Sequence, residues 1–206
     1  MTRNRFSQSA PTIAILAVIA LTPMLAQQPT AASSNAQASA QLNTTLALGK
    51  LEVTMSQSDP DGKEFGMAVA DYWKTIAEAH DGRRAFDFFS ALVAEQKTPN
   101  ATLLAMRASS ACFYIGWLAQ ENLMDTVGRP RIAQISEQAR ADYEEALKLD
   151  PQNFSALYGY SIYEGYRPGG QAHQKELFTR LDALRASRPY YPWQIVDTLE
   201  KTGKPE

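Results

Sequence analysis

The stretch Ala139–Leu157, ARADYEEALKLDPQNFSAL, decides the fold. Ile132, Ile135, Ala139, Tyr143, Ala146 and Leu147 recur every three or four residues and so share one face of a helix. Glu137, Arg140, Glu144, Glu145 and Lys148 take the other face, with Glu144 and Lys148 spaced for an i,i+4 ion pair. Pro151 cannot continue that helix and pushes Asp150 out of helical geometry. Asn153 is placed to cap a second helix opening at Phe154, with Phe154, Leu157, Tyr158, Ser161, Ile162 and Gly165 on one face. Ala139 and Ala146 keep the seam narrow, as close packing of an antiparallel helix pair requires.

Working outward, the same periodicity recurs. Phe65, Val69, Tyr72, Trp73, Ile76 and His80 form one stripe, broken at Asp81-Gly82. Ala85, Phe88, Phe89, Leu92 and Val93 form the next, ending before Pro99. Asn100 caps a long helix from Ala101 to about Leu123, uncharged between Arg107 and Glu121. A helix apolar on all sides belongs at the centre of a bundle or in a membrane, and Arg107, Ser109 and Ser110, which interrupt the run, favour the bundle. Thr126–Arg131 is expected to be a loop. Leu177, Phe178, Leu181 and Leu184 mark another helix, and Ile195, Val196 and Leu199 a short closing one after Tyr190-Tyr191-Pro192-Trp193. Leu51, Val53 and Met55 alternate with polar residues and suggest a short strand or irregular lead-in.

Ala139, Tyr143, Ala146 and Pro151 resemble the second-helix positions of the tetratricopeptide (TPR) repeat family, and Ala156 and Leu157 resemble the opening of the next repeat. Ser161 and Glu164 depart from that pattern, as does the loop at Arg167–Gly170. The resemblance implies an all-α fold of about seven helices, stacked as antiparallel pairs in a TPR-like solenoid or compact helical bundle over residues 61–206. It also implies that the first helix of each pair lines a concave face. Tyr158, Ile162 and Tyr166 would then point into a groove, with Tyr114 and Trp117 nearby, and Arg107 and Arg167 would serve as clamps for a carboxylate. Gap-filling between helices is the other role open to these rings.

The N-terminus gives an address. Arg3 and Arg5 precede the apolar run TIAILAVIALTPMLA, Thr12–Ala26, the pattern of a secretory signal with cleavage expected after Ala26. Pro23 leaves the run short of the roughly 20 apolar residues a membrane span needs. Residues 27–60 are expected to be a flexible linker and lead-in, because Ala, Ser, Gln, Asn and Thr dominate its first part. The expected location is the periplasm or the exterior of a bacterial envelope, with membrane contact only if the signal stays attached.

Composition excludes several classes. The chain has 206 residues and a formal net charge of -2, which argues against a general nucleic-acid binder. Removing Arg3 and Arg5 leaves about -4. Cys112 is the single cysteine, so no intramolecular disulfide can form, and it has no basic neighbour to activate it. His80 and His173, the only histidines, lack the paired ligands at fixed spacing that a metal site needs. Glu144 and Glu145 sit on a solvated face, and there is no phosphate loop or nucleophile elbow. Asn100 and Asn153 lie in glycosylation sequons, yet each follows a proline closely and is better explained as a helix cap. The expectation is therefore a non-catalytic adaptor without metal or cofactor, binding a protein or extended peptide of the cell envelope. The alternative is a periplasmic solute-handling accessory resembling the TPR-like component of TRAP transporters, which would need an enclosed pocket.

Overall fold

The computed structural model describes residues 31–187, with side chains described for 38–184. The described residues form eight helices and no strand: α1 (Ala31–Gln57), α2 (Lys63–Ala79), α3 (Gly82–Glu95), α4 (Ala101–Gln120), α5 (Met124–Val127), α6 (Arg129–Leu149), α7 (Phe154–Tyr166) and α8 (Gln171–Ser187). The fold is all-α. The signal-like segment 1–26 and the short closing helix at Ile195–Leu199 lie outside the described residues.

Contacts across each corner fix the helix directions. Arg107 on α4 meets Asp142 on α6, and Ser109 meets Tyr143, residues about equally far from the loop between them. Glu52–Tyr72, Phe86–Tyr114, Tyr143–Tyr160 and Tyr160–His173 do the same for α1/α2, α3/α4, α6/α7 and α7/α8. Each of these is an antiparallel pair. By contrast α4 and α7 run parallel, because Thr102 lies beside Asn153 and Ser109 lies beside Gly159.

Helix α4 is the axis of the molecule. Leu103 and Met106 join a core with Leu48, Met55, Phe65, Tyr72, Ile76 and Phe89 from α1–α3. Leu104, Ala105, Ala108 and Ala111 join a second core with Ile135, Ala139, Tyr143, Leu157, Tyr160 and Leu177 from α6–α8. Serving two cores explains why this helix is apolar on all sides. Each fully buried Leu or Phe here is worth about 1.5–3 kcal/mol relative to exposure. Small residues set the spacing on the second core: Ala105, Ala108, Ala139 and Ala146 are wholly buried, as the narrow seam requires.

The caps follow the sequence. Asn100 Oδ1 accepts the Leu103 N–H at 2.9 Å, and Asn153 Oδ1 accepts the Ala156 N–H at 3.0 Å. Their amide groups donate to Asp61 and Thr102, tying the α1–α2 loop to the starts of α4 and α7. His80 closes α2 in a left-handed conformation, φ 53°.

Several expectations need correction. The linker and strand expected within 27–60 are replaced from Ala31 to Gln57 by α1. Alanine favours helix, and Leu48, Leu51, Glu52 and Met55 recur at helical spacing against α2, which outweighs the short alternation at Leu51–Met55. Val53, read there as strand, is exposed on the far side of α1. Helix α4 stops at Gln120 because Asn122 turns left-handed, φ 57°, and part of the expected loop is the single turn α5. The buried face of α7 is Ala156, Leu157, Tyr160, Ser161 and Glu164, rotated from the face expected through Tyr158, Ile162 and Gly165. Lys148 pairs with Glu145, not Glu144, because Glu144 already accepts bonds from Arg140 and Tyr160.

Candidate functional site

The exposed side of α7 is the surface the sequence singled out. Tyr158, Ile162 and Tyr166 follow one another at i, i+4 and i+8, so they form one stripe. Tyr158 is half-buried and stacks on Phe154, rings 6.0 Å apart and 12° from parallel. Ile162 is 40% exposed and Tyr166 88% exposed. The stripe therefore rises from the core into solvent along the helix.

What holds α7 in place is local and polar. Its N-cap is buried and bridged to α4 through Asn153 Nδ2 and Thr102 Oγ1, 3.0 Å apart. Gly159 lets it close on α6 and α4: a Cβ there would stand 2.6 Å from Tyr143 Oη and 2.8 Å from Ser109 Oγ. Continuing the same parallel register one helical repeat further sets Tyr166 level with Gly116, whose Cβ position has open space around it. Between Ala108 and Gln120 α4 has no charged residue, and α7 has one, Glu164, which is buried. The α7 stripe and the neighbouring end of α4 thus offer an uncharged surface.

The other candidates fall elsewhere. Tyr114 is sandwiched between Phe86 at 5.8 Å and Trp117 at 6.1 Å, facing α3. It shares a face of α4 with Arg107, whereas α7 meets α4 through Thr102 and Ser109 on another face. Arg107 is already engaged: Nε and an Nη donate to both oxygens of Asp142, at 2.7 and 2.6 Å, and Gln138 adds a third bond. The Asp142 side chain is only 4% exposed. Arg167 likewise donates two bonds to Glu164 Oε2, at 3.0 and 2.8 Å. Both guanidinium groups are structural partners of carboxylates from their own chain, which accounts for their placement without any ligand.

Glu164 was not legible as a buried residue. It is fully buried, and its Oε1 has no hydrogen-bond partner, with His173 Nδ1 3.7 Å away. Its carboxylate packs against Gly170 at the start of α8, where the helix dipole and the Arg167 fork offset the charge. His173 sets its ring edge-on to Tyr160, 4.9 Å between centroids. Among the described residues no three His, Cys, Asp or Glu side chains converge as a metal site would require.

Two remaining features are self-contained. An open depression of about 460 Å³ is lined by Glu52, Asp81, Arg83, Arg84, Asp87 and Phe88. Four of its charges are paired internally, Arg84 donating to Glu52 at 2.7 and 2.8 Å and Arg83 to Asp87 at 3.4 Å, while Asp81 caps α3 by accepting the Arg84 N–H. Cys112 is half-buried, and desolvation pushes its thiol up to about 11, the reverse of activation. Among the described residues no helix is long and apolar enough to cross a membrane.

Comparison with protein-family models, with curated proteins and with solved structures gives no match.

Proposed function

We propose that the chain is an exported, TPR-like, non-catalytic adaptor that binds an extended, largely uncharged peptide segment of another envelope protein along α7. The observation that carries this reading is the Tyr158–Ile162–Tyr166 stripe, uncharged and increasingly exposed, on a helix fixed at its cap and seam. Tyrosine supplies a flat apolar body with a hydrogen-bonding tip, the chemistry of recognition surfaces. The packing of α4 with α6 and of α7 with α8, the two first helices parallel, supports the TPR-like reading. Tyr114, Trp117, Arg107 and Arg167 are assigned to supporting that scaffold, on the contacts described above.

The test is selection of extended peptides from a displayed library on the full chain. Selected peptides should bind the wild type and lose at least about tenfold in affinity with Ile162→Ser/Tyr166→Ala, a loss of roughly 1.4 kcal/mol. Peptides indifferent to that double substitution, or a selection without enrichment, would overturn the proposal.

A further inference from the structure

We draw no further inference here: the strongest candidate, the cluster of Glu164, Arg167 and His173 at the corner between α7 and α8, leaves one carboxylate oxygen without a hydrogen bond among the described residues, but that oxygen is closed to solvent and its charge is offset by the Arg167 fork, so nothing in the structure shows what would occupy it.

Discussion

Gly159 on α7 lies against the hydroxyl of Tyr143 on α6, so close that a single added carbon would stand 2.6 Å away. Tyr143 cannot yield easily: it is 1% exposed, stacked on Tyr160 at 5.2 Å and bonded to Ser109. Two effects oppose each other in Gly159→Ala. Alanine improves helix propensity by about 1 kcal/mol. Overpacking at a rigid seam costs about 1–3 kcal/mol. The contact is shorter than van der Waals separation on two sides, so the steric term wins. Urea denaturation should show a net loss of up to about 2 kcal/mol; a more stable variant would mean the seam is loose.

The ion pair between Arg107 and Asp142 makes a second test. Asp142→Ala leaves a largely buried guanidinium without its carboxylate and should cost about 3 kcal/mol, the low end for a broken buried pair, because Arg107 keeps some solvent. Replacing both partners with apolar residues of similar size should recover much of that loss. A double-mutant cycle by chemical denaturation measures it.

Glu164 and Arg167 follow the same logic at the α7–α8 corner. Arg167→Ala strips the fork from a wholly buried carboxylate and should lower the melting temperature. Adding Glu164→Leu should restore part of the stability, since the charge that lost its partner is then gone. If Arg167→Ala is silent in thermal melts, Glu164 draws its compensation from the start of α8 alone.

Cys112 predicts a pH dependence. Burial raises its thiol from 9.0 to about 11, so the folded chain holds that proton more tightly than the unfolded chain. This stability is fully present below pH 9 and is lost as the pH rises through 11. Tyr160, pushed up to about 12 chiefly by burial, acts in the same sense higher up. Between pH 8 and pH 11 the wild type should therefore lose about 2 kcal/mol more than Cys112→Ala. Denaturant midpoints for the two proteins at both pH values give the comparison.

On α7, exposure separates two tyrosines of one stripe. Tyr166→Ala, at a position 88% exposed, should change stability by less than about 0.5 kcal/mol. Tyr158→Ala removes a ring packed on Phe154 and the second core, and should cost about 2–3 kcal/mol. Differential scanning calorimetry of the two variants distinguishes surface from scaffold.

The local spacing of residues by itself determined much of this protein. Apolar recurrence every three or four residues, with Asn100, Asn153, Pro99 and Pro151 as punctuation, was enough for α2, α3, α4, α6 and α7 and for the N-caps of α4 and α7, because these depend on neighbours within a turn or two. The absence of charge from Arg107 to Glu121 marked α4 as central for the same reason. Only the tertiary structure decided which face of α7 is buried, that Glu164 lies inside it, and that Arg107 and Arg167 are held by Asp142 and Glu164. It also decided that residues from Ala31 to Gln57 form a helix, since Leu48, Glu52 and Met55 gain their meaning from α2 and α3. A partner brought close by the folding of distant segments leaves no periodic trace in the chain that contains it.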